Sequence, residues 1–347
     1  MLARCQFGFI ACNCNTIVKR GGLRGRRAVE RFAALTSADQ AWHIVLAAAA
    51  EADRLAGAAT PAAYAASGAG ELRRVADDAS DAVLRWQPRS GWSVVIGEDD
   101  PRHPLIDLYL PICSATDARP ITVGHLGQSL DGFIATHAGE SQFVTGEENI
   151  RHLHRLRALC DAVVVGAGTV AADDPQLTTR HVSGPSPVRV VLDPARRLAD
   201  HYRVFTDAAA NTLYVCGKSA VRDGDTHVGQ AAVIAVDDEG DRLDVTAVLA
   251  MLRARGCHRI FVECGGVTVS MFLEANALDR LQIAIAPLLI GDGRPAIRLA
   301  PRLALSDCHR PHYRVFRMGA DVLFDCDLRS AAADRRAGDG DAITRVI

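Results

Sequence analysis

The segment 161–180, DAVVVGAGTVAADDPQLTTR, restricts the folds open to this chain more than any other. Val163, Val164 and Val165 follow one another without polar interruption, the pattern of a strand buried on both faces of a parallel sheet. The run stops at Gly166-Ala167-Gly168-Thr169. Small residues at a strand end let a phosphate approach bare backbone N–H groups, and a following helix points its first amides the same way. GAGTVA satisfies the G-x-G-x-x-A form of the dinucleotide fingerprint, yet the helix after it can run only to about Asp174, because Pro175 follows. A crossover unit of that type needs about ten or more residues, so the motif belongs to a different α/β sheet or to none.

The chain has 347 residues, room for one large domain or two ordinary ones, and its 49% apolar composition suffices for a core. A formal net charge of -2 gives no bulk basic surface for nucleic acid or an anionic membrane. Only Lys19 and Lys218 are lysines, so a Schiff-base lysine has essentially one candidate, Lys218, in an expected loop. The ten cysteines contain no C-x-x-C pair and mostly sit in apolar runs, which points to reduced buried thiols in a cytoplasmic protein and to no metal site. The apolar patch Phe7 to Cys12 is too short for a membrane span or a signal segment.

Residues 1–35 carry arginines and glycines with little periodicity and are expected to be disordered. A helix is expected from the Thr36 cap to about Ala56, a second over Glu71 to Trp86, and a strand over Gly91 to Gly97. Four prolines between Pro101 and Pro120 suggest a linker, with a domain boundary near residue 115. The segment 36–115 therefore reads as a small, mainly helical extension. After Pro120 the pattern becomes β/α. Strands are expected at Ile121–Leu126, Ala162–Val165, Val188–Leu192, Thr212–Cys216, Ala232–Val236, His258–Val262 and Leu281–Ala286. Helices are expected at Glu147–Leu159, Val245–Arg255 and Val267–Ala275, and a hairpin at Tyr313–Arg317 with Asp321–Cys326. One sheet with helices on both faces accounts for all of these. Residues 329–347 read as a disordered tail.

A second strand-to-glycine junction occurs at Phe261-Val262-Glu263-Cys264-Gly265-Gly266. Two such junctions at one sheet edge suit a ligand with a pyrophosphate, although the glycines also serve a tight turn. Glu263 ends a buried strand, where a carboxylate is costly unless it is paired or bound to a ligand. Asp131 in Asp131-Gly132 reads as a turn residue, and Asp173-Asp174 as a cap. A solvated charge is the ordinary explanation of Arg157 near a helix end. Arg196 and Arg197 follow a strand end, as surface charge or as a clamp for a 2′-phosphate.

In order and spacing, Ser129-Leu130-Asp131-Gly132, Gly139-Glu140-Ser141-Gln142-Phe143, Leu156-Arg157-Ala158, the segment 161–180, Val262-Glu263-Cys264-Gly265-Gly266 and Ala286-Pro287-Leu288-Leu289-Ile290-Gly291 resemble the pyrimidine reductase domain of riboflavin biosynthesis. The match covers about 120–328. It implies a dihydrofolate-reductase-like three-layer sandwich with a mixed, mostly parallel sheet, and homodimerisation. It also implies NADPH-dependent reduction of 5-amino-6-(5-phosphoribosylamino)uracil to the ribitylamino product. By position, the resemblance puts Gly127, Phe143, Thr169, Asp173 and the turn and helix start from Gly265, Gly266, Val267 and Thr268 to Met271 against the cofactor, and the residue pattern itself adds Gly166, Gly168 and the strand-end Arg196. It puts Ser141, Arg157, Leu177, Arg180 and Glu263 against the substrate, with water, Glu263 or Asp131 managing protons. Cys264 and Val267 stand where the family commonly has smaller residues, and Phe143 where tryptophan is frequent. Those departures leave open a reductase of the same fold with another heterocyclic substrate, and a non-catalytic nucleotide-binding protein as a third reading. The deaminase often fused ahead of this domain needs H-x-E and P-C-x-x-C, and neither occurs before residue 120, so no deaminase activity is expected.

Overall fold

Helix α1 (Ser37–Leu55) starts at the expected hydroxyl. Thr36 Oγ1 accepts from the Asp39 N–H at 3.1 Å, and the Asp39 carboxylate returns to the Thr36 N–H, which closes a capping box. This computed structural model describes residues 35–240, 242–263 and 265–329. Apart from Leu35 and Arg329, the stretches expected to be disordered lie outside the described residues.

The helix expected over 71–86 is instead strand. β1 (Ala62–Ala66), β2 (Leu72–Val75), β3 (Ala82–Gln87) and β4 (Gly91–Val94) form an antiparallel sheet in the order β2-β1-β3-β4. Leu72, Val75, Ala82 and Trp86 fit a helical stripe, but Asp77-Asp78-Ala79-Ser80 between them forms successive turns, with Ala79 N–H to Ala76 carbonyl and Ala82 N–H to Ala79 carbonyl. Packing then decides for strands: Trp86 and Trp92 meet edge to face across β3 and β4 at 5.2 Å.

The proline-rich stretch is no linker but holds helix α2 (His103–Cys113). Pro104 sits in the first turn, where no backbone N–H is needed. Pro111 lies inside the helix and deprives the Asp107 carbonyl of its usual donor. Arg314 supplies the replacement, donating from Nη1 to that carbonyl at 3.2 Å. Ile106, Tyr109, Leu110 and Ile112 of α2 are buried.

The rest of the chain runs through β5 (Ile121–Ser129), β6 (Phe133–Thr136), α3 (Glu147–Leu159), β7 (Ala162–Gly166), α4 (Ala167–Asp173), β8 (Val188–Leu192), α5 (Arg203–Thr206) and β9 (Thr212–Gly217). It continues with β10 (His227–Val228), β11 (Ala231–Val236), β12 (Asp238–Glu239), β13 (Arg242–Leu243), α6 (Val245–Arg253), β14 (Arg259–Glu263) and α7 (Gly266–Glu274). It ends with β15 (Arg280–Ala286), β16 (Gly293–Pro295), β17 (His312–Met318) and β18 (Asp321–Asp327). Ten of these strands form one sheet in the order β10-β11-β9-β8-β7-β14-β5-β15-β18-β17. From β11 to β15 the strands are parallel, and β10, β18 and β17 are antiparallel to their neighbours. After β7 the chain moves outward to β8, whereas β14 returns between β7 and β5, so the winding reverses at the β7/β14 edge. Ligands of open α/β sheets sit outside the carboxyl ends of strands at such a reversal.

Alternate residues of the buried strands face opposite layers. Val163 and Val165 join a core with α1, α2 and α3, while Ala162 and Val164 join one with α6 and α7. Trp42, Val45, Trp86 and Ile106 share the first of these cores with Val163 and Phe261, so the segment 36–115 is an integral layer of the fold. Polar bonds fix it there: Arg259 Nη2 donates to the carbonyls of Ala49 and Ala115 at 3.1 and 2.9 Å, and Trp42 Nε1 to that of Ser183 at 2.9 Å. No helix among the described residues is long and apolar enough to cross a membrane. A chain beginning at Pro120 should therefore expose an apolar face and lose cooperative unfolding, read as a broad urea transition with increased dye binding; a sharp transition at the full-length midpoint would contradict this.

Candidate active site

The two glycine junctions meet at the β7/β14 edge and interlock. A β-carbon built on Gly166 would stand 2.5 Å from Thr268 Oγ1, and one on Gly265 would stand 3.2 Å from Thr169 Oγ1. Each corner thus fills the space left by the other's missing side chain. Gly265 has φ +81, a left-handed conformation that suits glycine. It precedes α7, whose first turn has no side-chain cap, so its leading N–H groups have no side-chain acceptor among the described residues. Gly168 has open space where a side chain would go. Gly266 is required for another reason: a β-carbon there would run into the carbonyl oxygens of Pro295 and Ala296, at 2.6 and 2.1 Å. Val267 is 85% exposed on the outer side of the same turn.

Glu263 and Arg157, both expected at the site, are brought together. Arg157 is only 6% exposed and so is not a solvated helix-end charge, and Glu263 is 3% exposed. Arg157 Nε donates to Glu263 Oε2 at 2.7 Å and Nη2 donates to Oε1, a two-pronged guanidinium–carboxylate pair. Arg157 Nη1 also donates to the Thr178 carbonyl at 3.2 Å. Burial offset by such pairing answers the cost of a carboxylate at a strand end.

Arg180 is exposed, with Nη1 on Thr178 Oγ1 at 2.8 Å. Partial desolvation of its side chain, then the neighbouring Arg157, draws its guanidinium below the ordinary arginine range. Leu177, expected against the substrate, places its side chain in the hydrophobic core, and its φ of 57 marks a strained turn. Phe143 shares that left-handed conformation at φ 64 and is 83% exposed. Ser141 is half-buried in the same loop. Gly127 on β5 is closed in by Thr145 and Asn149 at the start of α3.

Other expected residues have different employment. Asp131 accepts from Ser129 Oγ at 2.5 Å and from the Gly291 N–H at 2.6 Å, so it clamps two loops. These bonds, the Ser129 hydroxyl first, hold its carboxyl below the usual range, which makes it a poor proton donor. Asp173 is exposed, and partial burial pushes its carboxyl up despite nearby Arg294. The Arg196 guanidinium is paired with Asp225, while Arg197 beside it is exposed and, among the described residues, engages only its N–H, with Asp193 at 2.7 Å.

A family model described as the RibD C-terminal domain matches residues 121–315, more than half of the chain. The chain belongs to this family. As a RibD C-terminal domain it is 36% identical over 181 residues to a 2,5-diamino-6-ribosylamino-4(3H)-pyrimidinone 5′-phosphate reductase of Methanothermobacter thermautotrophicus, covering 51% of this chain and 82% of the relative. It is 31% identical over 224 residues to the riboflavin biosynthesis protein RibD of Bacillus amyloliquefaciens, covering 62% and 58%. The fold matches the crystal structure of a deaminase/5-amino-6-(5-phosphoribosylamino)uracil reductase from Thermotoga maritima, with a TM-score of 0.51 and 24% identity over 65% of this chain and 61% of that one. Membership in this reductase family implies a reduced nicotinamide cofactor. Among the described residues no group of three or more His, Cys, Asp or Glu could hold a metal ion.

Sequence reasoning missed the histidines beneath and beside the site. His154 on α3 accepts from the Arg180 N–H at 3.0 Å and so fixes the strand of loop that carries Arg180. Its only signal is a histidine three residues before Arg157 on the buried face of α3. Burial draws His152 down to about 4 and His154 to about 3, and places His125 well below its ordinary value. All three are neutral in the folded protein at neutral pH. Below about 6.5 the unfolded chain takes up protons that the folded one refuses, so stability is full above that pH and falls as pH drops toward 4. Each such histidine adds a slope of about 1.4 kcal/mol per pH unit. Urea unfolding at pH 7.5, 6.5 and 5.5 should show a progressive loss that is shallower in His152→Gln; a pH-independent midpoint would contradict the assignment.

Proposed function

We propose that this chain catalyses the NADPH-dependent reduction of 5-amino-6-(5-phosphoribosylamino)uracil to its ribitylamino product in riboflavin biosynthesis. The observation that carries this reading is the interlocked pair of glycine corners beside the buried Arg157–Glu263 pair, at the reversal point of the sheet. The residues present fit the cofactor. The uncapped start of α7 and the open backbone at Gly168 suit its pyrophosphate, and the exposed Phe143 offers a flat face to a planar ring. When bound, the cofactor supplies hydride to C1′ of the ring-opened, imine form of the substrate.

The protein's own part is to bind, orient and exclude water. Arg180 reaches the substrate phosphate from the loop that His154 holds. Arg157, spent on Glu263 and Thr178, orients Glu263 so that its carboxylate meets a ribose hydroxyl or the pyrimidine edge. Asp131 keeps its clamping role, and the proton that completes reduction comes from water.

The undeaminated substrate, 2,5-diamino-6-ribosylamino-4(3H)-pyrimidinone 5′-phosphate, is the second reading, supported by the 36% identity to an archaeal reductase named for it. Purified protein given NADPH and each compound in turn should consume NADPH with one of them. Loss of absorbance with neither would overturn the reading, and turnover of an unrelated heterocycle alone would move the chain to another pathway. Arg197, exposed in the loop that follows β8, is free of the Asp225 pairing that holds Arg196 and is the arginine proposed to meet a 2′-phosphate. NADPH should therefore bind more tightly than NADH, and equal affinity would count against that role.

A cytoplasmic homodimer completes the proposal. Leu130, Leu288 and Leu289 are exposed, and the Leu130 N–H donates to the Leu288 carbonyl at 2.8 Å, so they form one apolar patch for a second copy. Sedimentation at micromolar concentration should give a dimer; a monomer would contradict it.

A further inference from the structure

A row of buried polar residues crosses the sheet beneath α3. Glu263 on β14 pairs in register with His125 on β5, His125 with Gln282 on β15, Gln282 with Asp325 on β18, and Asp325 with Arg314 on β17. Glu263, His125, Gln282 and Asp325 are all buried. Apolar side chains can often fill such positions at similar or lower cost, so net stability alone does not account for a polar row here. One end of the row is Glu263, at the proposed substrate site. The other end is Arg314 on β17, which pairs with Asp107 of α2, a helix outside the matched family region of 121–315.

Two α2 residues close the network. Tyr109 OH lies 2.6 Å from His152 Nδ1, His152 Nε2 lies 2.9 Å from Gln282 Oε1, and Gln282 Nε2 donates to Asp325 Oδ1 at 3.1 Å. Arg314 Nη2 donates to Asp325 Oδ2, and its Nη1 pairs with Asp107 Oδ2, both at 2.7 Å. The directions are fixed. Asp325 can only accept, so Gln282 donates to it and presents its oxygen to His152. His152 then carries its proton on Nε2, and Nδ1 accepts from Tyr109. The His152 ring packs edge to face on His125 at 5.1 Å, and His125 is the strand neighbour of Glu263. Neither ring nitrogen of His125 makes a geometrically complete hydrogen bond among the described residues, and the polar group beside the ring is Asn149 of α3, the helix that also carries His152. His152 and Arg157 lie on the same helix, five residues apart, so whatever sets the height and rotation of α3 sets Arg157 as well.

We propose that Tyr109 is a positioning residue for the reductase: through His152 it seats α3, and through α3 and His125 it fixes the Arg157–Glu263 pair at the substrate site. This rests on the proposed reductase activity. The extension thereby supplies a part of the active-site frame that the matched family region lacks.

Tyr109→Phe removes one hydroxyl and keeps the ring that packs on Trp42 at 5.7 Å. In the full chain it should raise the substrate KM about fivefold or more while NADPH affinity stays within about twofold, because Glu263 meets substrate. In a Glu263→Gln background, substrate affinity measured by titration should no longer respond to Tyr109→Phe, a non-additivity that general loosening does not produce. Val45→Ala, which weakens the extension's packing without touching the network, is the control for stability alone. Should Tyr109→Phe not fold, His152→Gln is read in the same assays. An unchanged KM, an equal KM change in Val45→Ala, or additivity with Glu263→Gln would each overturn the proposal. If the wild-type chain turns over neither pyrimidine, the reductase reading fails first; normal wild-type turnover with an unresponsive Tyr109 variant sinks only the positioning role.

Discussion

The Thr268 hydroxyl occupies the volume that a side chain on Gly166 would need, and the Thr169 hydroxyl closes over Gly265. This reciprocal fit lets β7 and β14 lie side by side and still release two helices from the same edge. Larger residues at either glycine would push the corners apart or force a threonine from its place. Smaller ones at the threonines would leave a void where the two strand ends meet. The fit is made by side-chain hydroxyls and bare backbone, and it leaves the first turn of α7 without a side-chain cap. The same packing that closes the sheet therefore keeps uncapped backbone N–H groups at its edge, the feature on which the proposed cofactor site rests.

Beneath that edge the protein accepts a costly arrangement. A carboxylate, a histidine, an amide and a second carboxylate sit buried in register across four strands. Arg157 offsets the first, and Arg280 and Arg314 the last, with Arg280 Nε 2.6 Å from Asp325 Oδ1. Removing a single member would strand the others in a low-dielectric interior, so the row responds as a unit. Helix α2 depends on it too, since Arg314 also takes the carbonyl that Pro111 leaves without its helical donor. A proline that reads as a chain break is in this way a docking point between the extension and the sheet.

What the amino-acid sequence discloses follows from local physics. The parallel strands are legible because burial on both faces writes unbroken apolar runs such as Val163 to Val165. α4 is legible because Pro175 limits it, and α1 because Thr36 and Asp39 form a local cap. Glu263 announces itself by the cost of its position. Its partner does not: Arg157 lies 106 residues away, and nothing local tells a buried ion pair from a solvated helix end. The stretch 71–86 fits helical and alternating periods alike, and only the meeting of Trp86 with Trp92 decides between them. Leu177 and Gly266 hold site-like positions in the family pattern and Arg196 one after a strand end, yet core packing, a close backbone approach and Asp225 account for what their atoms touch.

The account stands on the claim that the interlocked corners receive the reduced nicotinamide cofactor. A crystal structure of the protein soaked with NADPH tests it most directly. The account predicts density for the pyrophosphate against the backbone N–H groups of Gly265 to Thr268, with the nicotinamide directed toward Glu263. Cofactor density elsewhere on the molecule, with those N–H groups bonded only to solvent, would contradict it.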